Sequence, residues 1–395
     1  MTTQKEAEPM HEKPLRILIC AGEVSGDMHA AALMHALRER LPQPIQFRGF
    51  GGDAMRAEGA ELLYHTDQTA VMGITPVLCH LFFLLRMARC LKREMLTWKP
   101  DLVLTVDYPG MNLRLAAFAH ARGFKTIHYI CPQVWAWHQK RIPKIAQVLD
   151  LLLCIFPFEP EIFRETALQA CFTGHPLVDY AAETRAAPPL ALPWKGTHHI
   201  ALLPGSRSGE ITRILPRLLA AAVLLEKRLA NDCSFLIPVP TPQMRRLAEE
   251  VTAAAPVLPG NLVFVDGEAR QVLMQAHVAA VASGTATLEA SLMRCPTVLV
   301  YAASTITYWF ARWVIKGIKY LGLANIIADR EVMPELLQQA FTPQHLAERL
   351  ERYLTDPVCR DQMLNDLDET NARLGEGGAS RRAAQAIATF LHSSC

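Results

Sequence analysis

A chain of 395 residues, 51% of them hydrophobic, is long enough for two full cores and too apolar for intrinsic disorder. Its 40 basic and 38 acidic residues nearly cancel, so no global field points to nucleic acid, and any preference for a membrane or an anionic ligand must come from local patches. The 10 cysteines form no Cys-x-x-Cys and no Cys/His metal pattern, and several, such as Cys20 and Cys154, sit inside apolar runs, which fits a reducing compartment better than a disulfide framework.

The segment up to Lys13 is polar and acidic, without the apolar core of a signal peptide, so the reading is a cytoplasmic protein. Buried strands are then expected at Leu15–Cys20, Leu102–Val106, Thr126–Ile130 and Leu151–Ile155, with helices at His29–Arg40 and Met111–Arg122. Residues 185–198 hold three prolines, two of them adjacent, plus Gly196, a linker composition. The alternation then restarts. Strands are expected at Ile200–Leu203, Phe235–Val239, Leu262–Val265, Val278–Ala282 and Thr297–Tyr301, and helices at Arg213–Leu229, Gln243–Ala254, Glu268–Gln275 and Ala286–Met293. Strand–helix alternation implies parallel sheets covered on both faces. The expected class is α/β, with two Rossmann-like domains facing a central cleft. Residues 14–184 form the first, residues 199–365 the second, and helices over 366–395 pack back across them or onto a partner.

In open α/β sheets, ligands bind beyond the carboxyl ends of the strands. Four loops there are unusual. After the first strand, Gly22-Glu23-Val24-Ser25-Gly26-Asp27 offers close backbone approach, but it is not a dinucleotide fingerprint. The carboxylates of Glu23 and Asp27 suit sugar hydroxyls better than a pyrophosphate; the alternative is a tight turn capped by Ser25 or Asp27. After Leu102–Val106 comes Asp107, a proton acceptor of the kind an attacking sugar hydroxyl needs, or simply a turn residue before Pro109. Asn112 follows in the same loop. Opening the second domain, Gly205-Ser206-Arg207-Ser208 combines small residues with a guanidinium fork, a phosphate-type loop at a helix start. Ser283-Gly284-Thr285 is a second such loop, with Glu289 one turn into the helix, either for ribose hydroxyls or for the helix dipole.

Taken together, these loops resemble the lipid-A-disaccharide synthase family from about Arg16 to about Leu391. Specific to the likeness are His128-Tyr129-Ile130-Cys131-Pro132-Gln133-Val134-Trp135-Ala136-Trp137 and the loop from Asn325 to Glu335. Phe156-Pro157-Phe158-Glu159 and Gly174-His175-Pro176 add to it. The resemblance implies a GT-B fold and an inverting transfer. The donor would be UDP-2,3-diacylglucosamine and the acceptor 2,3-diacylglucosamine 1-phosphate. The products would be a β-1,6-linked disaccharide 1-phosphate and UDP. It further implies a protein peripheral on the inner face of the cytoplasmic membrane. The expected roles are Asp107 as base, with His128 in reserve. Gly205, Ser206, Arg207, Ser283, Gly284, Thr285, Glu289 and Asn325 would serve the nucleotide sugar. Glu23, Ser25, Asp27, Asn112 and Trp135 would serve the acceptor. The chain departs from the family pattern at Gly110, where an acidic residue is usual, and at Ala324 and Asp329.

A diacylated substrate needs an apolar path from a bilayer. Val71, Met72, Phe82, Phe83, Leu84 and Leu85 are the expected lipid-facing residues, with Arg86, Arg89 and Arg93 as a second stripe among anionic headgroups; the other reading is a buried core helix. The apolar run is far too short to span, which needs about 20 residues. No metal and no cofactor are expected: the one Asp-x-Asp match, Asp366-Leu367-Asp368, reads as a solvated helix face. The partners are then the UDP-sugar donor, the lipid acceptor and an anionic inner-membrane surface, with no nucleic acid and a homodimer left open. Other readings are a different GT-B UDP-sugar transferase or epimerase, or a nucleotide-sugar-binding protein without catalysis.

Overall fold

The computed structural model describes residues 13–66, 77–135, 139–303 and 319–393; Val71 and Met72 lie outside them. The chain forms two compact units, one comprising Met1–Pro176 with Gly378–Cys395 and the other Leu177–Gly377.

The first unit is built on seven parallel strands. They are β1 (Leu15–Ala21), β2 (Ile45–Gly51), β3 (Glu61–His65), β4 (Leu102–Val106), β5 (Lys125–Tyr129), β6 (Leu151–Cys154) and β7 (Gln169–Phe172). Their spatial order is β3-β2-β1-β4-β5-β6-β7. Every residue of β4 and β6 is buried, as expected of strands covered on both faces. The order reverses between β1 and β4, paired from Ile17↔Leu102 to Ala21↔Val106, so the loops leaving these two strands diverge and open a crevice. On one face, the helix Val77–Trp98 packs Met87, Leu91 and Met95 with Leu18, Cys20 and Phe50. The last helix, Ala379–Ser393, returns to pack on the helix Val24–Arg40, and Arg382 Nε donates to the Thr173 carbonyl at 2.8 Å.

The second unit repeats the plan with six parallel strands. These are β8 (His198–Leu203), β9 (Cys233–Val239), β10 (Leu262–Asp266), β11 (Val278–Ala282), β12 (Thr297–Tyr301) and β13 (Glu335–Leu337). Their order is β10-β9-β8-β11-β12-β13, with the reversal between β8 and β11. The proline-rich stretch lies within this unit. The helix before it, Pro176–Ala186, is tied to the second sheet's layer by Arg185 Nη1 donating to the Leu292 carbonyl at 3.2 Å and by Arg270 lying over the Tyr180 ring. After it, Trp194 stacks on His199 with centroids 4.6 Å apart. The helix Pro357–Ala372 carries the Asp-x-Asp match, whose carboxylates pair with Arg330 and Arg294 at 3.0 and 2.8 Å.

Candidate active site

The expected loops fall on the two reversal points. In the first unit, Asp107 and Tyr108 follow β4 with φ of 49° and 48°, two consecutive left-handed residues that are not glycine. Such a pair costs about 1–2 kcal/mol per residue and persists only where its surroundings over-determine it. Here they do. The Asp107 N–H donates to the Tyr129 carbonyl at 2.9 Å, and Asn112 Nδ2 donates to the Asp107, Val106 and Cys20 carbonyls at 2.7, 3.1 and 3.2 Å. The Tyr108 ring closes over Gly22, where a Cβ would stand 2.3 Å from the ring. Burial holds the Asp107 carboxyl above its ordinary 3.8, and a hydrogen bond from the Tyr108 backbone pulls it partly back. The Tyr108 hydroxyl is raised by burial and by the charge of Glu23. Glu23 and Ser25 are exposed beside this turn.

Three residues expected at the site are spent on holding it. Asp27 is buried, and its carboxylate accepts from the N–H groups of Gly52, Ala54 and Met55 at 2.6, 2.9 and 3.1 Å, capping the next helix instead of facing a sugar. Asn112 is buried and pins the two strand ends together, so it positions Asp107 and does not reach outward. His128 is fully buried in β5, hydrogen-bonded to Thr105 at 2.7 Å and pushed down to about 4 by burial, a core histidine and not a base.

Trp135 is partly buried, and its indole donates to Glu159 Oε1 at 3.2 Å, edge-on to Phe156 and Phe158. Glu159 is buried, its other oxygen accepting from the N–H groups of Ile155 and Phe156, both at 3.0 Å. Burial pushes its carboxyl up to about 7 against those donors. The tryptophan motif and the Phe-Pro-Phe-Glu motif are thus one assembly.

In the second unit, Glu210 changes the reading of the Gly205–Arg207 loop. Its Oε2 accepts from the N–H groups of Ser206 and Arg207 at 3.1 and 3.3 Å. A carboxylate of the chain itself therefore occupies the anion position of that helix start. Gly205, at φ 107°, has no room for a side chain, since a Cβ would meet Glu210 at 2.3 Å. Arg207 is 84% exposed and reaches Glu210 at 3.3 Å. The partner loop is open: no side chain caps the helix Thr285–Leu292, and nothing lies within 4 Å of where a Cβ of Gly284 would be. Ser283 donates to the Leu321 carbonyl at 3.2 Å. Glu289 is mostly buried with Arg270 at 3.9 Å; burial raises its carboxyl and Arg270 lowers it. Asn325 is fully buried. It donates to the Met333 carbonyl and to Glu335, and accepts from the Val332 and Met333 N–H groups, all at 2.8–2.9 Å, so it braces its loop and has nothing left for a nucleotide.

On the helix Val77–Trp98, Phe82 is 70% and Leu85 40% exposed, and Arg86, Arg89 and Arg93 are exposed along the same side. Phe83 and Leu84 do not join them: both pack on the core, Phe83 edge-on to Tyr64 at 5.8 Å. The helix thus has one inner and one outer apolar face. No helix among the described residues is long and apolar enough to cross a membrane.

A family model described as lipid-A-disaccharide synthetase matches residues 17–390. A lipid-A-disaccharide synthase of Myxococcus xanthus (strain DK1622) is 41% identical over 385 residues, covering 96% of this chain and 98% of that protein. Among solved structures, the glycotransferase of kitacinnamycin superposes with a TM-score of 0.62 at 17% identity, covering 96% of this chain and all of the other. The UDP-GlcNAc 2-epimerase of Neisseria meningitidis, bound to UDP-GlcNAc, gives 0.60 at 12%, over the same shares. At such identities these two speak to the fold alone, which is the two-domain α/β fold of the GT-B class. With nearly its whole length matched, the chain belongs to the lipid-A-disaccharide synthase family, the glycosyltransferases that form the disaccharide of lipid A.

Proposed function

We infer that the chain transfers 2,3-diacylglucosamine from UDP to the 6-hydroxyl of 2,3-diacylglucosamine 1-phosphate, with inversion at the anomeric carbon. Asp107 takes the hydroxyl proton as the oxygen attacks. The bond from the anomeric carbon to the UDP oxygen breaks on the opposite side, and UDP leaves with the electron pair. The observation that carries this reading is the strained, doubly left-handed turn that holds a partly buried carboxylate at the β1/β4 reversal. A base gains from a pKa raised toward the working pH. Exposed Glu23 and Ser25 flank it as sugar contacts, and the Trp135 ring, fixed by Glu159, offers an apolar wall to the acceptor.

The donor reading is narrower than the sequence suggested. Its pyrophosphate sits on the uncapped helix start at Ser283–Thr285, where backbone N–H groups and the helix dipole favour anions. Exposed Arg207 then swings from Glu210 to the phosphates, while the Ser206 N–H stays on Glu210 and Gly205 gives the loop its tight backbone. Glu289 accepts from the ribose hydroxyls.

Membrane contact belongs to Phe82 and Leu85, with Arg86, Arg89 and Arg93 among anionic headgroups, each worth about 1 kcal/mol. On this reading the protein rests on the inner face of the cytoplasmic membrane, where its diacylated substrates would lie. The test of the transfer is UDP release by the purified protein, measured with donor alone, acceptor alone and both. Release requiring both supports it; equal release from donor alone makes the activity a hydrolysis and refutes it.

A further inference from the structure

We propose that Cys131, Cys154 and Glu159 form a binding site for a zinc ion, separate from the transfer chemistry. The three residues come from different stretches of the first unit: Cys131 two positions beyond β5, Cys154 at the end of β6, and Glu159 at the start of the short helix Glu159–Ile162. Their two sulfurs and one carboxylate oxygen lie within 4.8 Å of one another, and all three residues are buried. Ligand atoms around a tetrahedral zinc are separated by roughly 3.3–3.8 Å, from bonds of about 2.3 Å to sulfur and about 2.0 Å to oxygen, so only small side-chain rotations close the site. Two thiolates select a soft or borderline cation over magnesium or calcium, which prefer all-oxygen shells.

The arrangement behind the ligands favours metal binding. Ile130, a β-branched residue at φ 73°, breaks the alternation of β5 just before Cys131, while its N–H still donates to the Leu153 carbonyl at 3.0 Å and keeps the strand ends together. The Glu159 carboxylate is oriented from outside the cluster by Trp135 and by the Ile155 and Phe156 N–H groups. Such outer contacts fix a ligand's direction and raise affinity. Two thiols give up their protons to solvent as the ion enters. The three anionic ligands then exceed the ion's charge by one, an excess those donors face. Three protein ligands leave one tetrahedral position for water. By joining β5, β6 and the Glu159 helix, the ion would clamp the loop that carries Trp135.

The experiment is an anaerobic titration of the full reduced chain with Co²⁺ as spectroscopic probe. A thiolate-to-cobalt charge-transfer band that saturates at one equivalent and is bleached by Zn²⁺ is expected. Cys131→Ser and Cys154→Ala should each weaken Co²⁺ binding by at least about tenfold, while Cys359→Ser should leave it unchanged. Wild type alone supplies a second readout, a rise in Tm with one equivalent of Zn²⁺, in case a variant fails to fold. No charge-transfer band in the reduced wild type, no Zn²⁺-dependent rise in Tm, or a band that survives Cys131→Ser and Cys154→Ala combined in one chain overturns the site.

Discussion

Asp107→Asn separates a catalytic carboxylate from a structural one, because the two roles predict opposite changes in stability. The substitution keeps shape and removes basicity. A positioned base contributes about 10²–10⁴ in rate, or roughly 2.7–5.5 kcal/mol of barrier, so kcat should fall by that factor. Stability should move the other way. Burial raises the folded-state pKa of Asp107 above its ordinary 3.8. Such a group contributes stability that is fully present below the unfolded pKa and lost as pH rises through the folded one, so at neutral pH the ionised wild type carries a penalty that the amide lacks. Asn also tolerates the left-handed backbone at φ 49° about as well as Asp. Thermal denaturation at pH 7 should therefore give an unchanged or higher Tm. UDP release, followed across pH, should show an acid limb in wild-type kcat/KM displaced upward from the ordinary carboxylate range, and that limb should be missing from the variant. Turnover within a few-fold of wild type, or activity and Tm lost together, would refute the assignment.

Other residues give sharper tests of their own. Glu289→Ala should weaken UDP binding by about 1.5–3 kcal/mol, the range for hydrogen bonds to a charged group, measured by calorimetry with kcat at saturating donor largely kept. Asn325→Ala removes the partners of two N–H groups, a carbonyl and the Glu335 carboxylate in a fully buried loop. It should cost on the order of 3–5 kcal/mol of stability yet spare UDP affinity at low temperature; a stable variant with poor UDP binding would return Asn325 to the ligand. Replacing exposed Phe82 and Leu85 with Ser should reduce sedimentation with anionic vesicles by at least about tenfold without lowering Tm, whereas Leu84→Ser should destabilise the first unit. If the double variant unfolds while the wild type ignores vesicles, the outer face has no lipid role.

The central strands were legible because they are continuous apolar runs: β4, β6, β8 and β11 appear where the sequence puts them, within a residue or two. β2, β3, β7 and β13 were missed, since Ile45–Gly51 mixes Gln46 and Arg48 into its run and the others are short segments toward the sheet margins with polar residues among them. The four candidate loops are legible as turns that follow strands, and the sheet orders show that each flanks a reversal. Individual roles were less legible. Asp27, Asn112 and Asn325 have the right chemistry, but a polar side chain in a loop can face a ligand or satisfy buried backbone groups, and only the fold decides. The roles of Glu210 and Arg270 leave no mark in the sequence because each depends on a partner, the Ser206 and Arg207 N–H groups for one and Glu289 for the other. Tyr108 gave no signal either; its importance is its backbone conformation and its contact with Gly22.

The most direct measurement is the structure of the product. Purified protein given UDP-2,3-diacylglucosamine and 2,3-diacylglucosamine 1-phosphate, each with a distinct acyl chain, should release UDP and yield one lipid. Mass spectrometry should find both sets of acyl chains and a single phosphate in it, and NMR should find a β linkage from the anomeric carbon of the former donor sugar to the 6-oxygen of the acceptor. An α linkage, attachment at another hydroxyl, or free diacylglucosamine in place of a disaccharide would contradict the account.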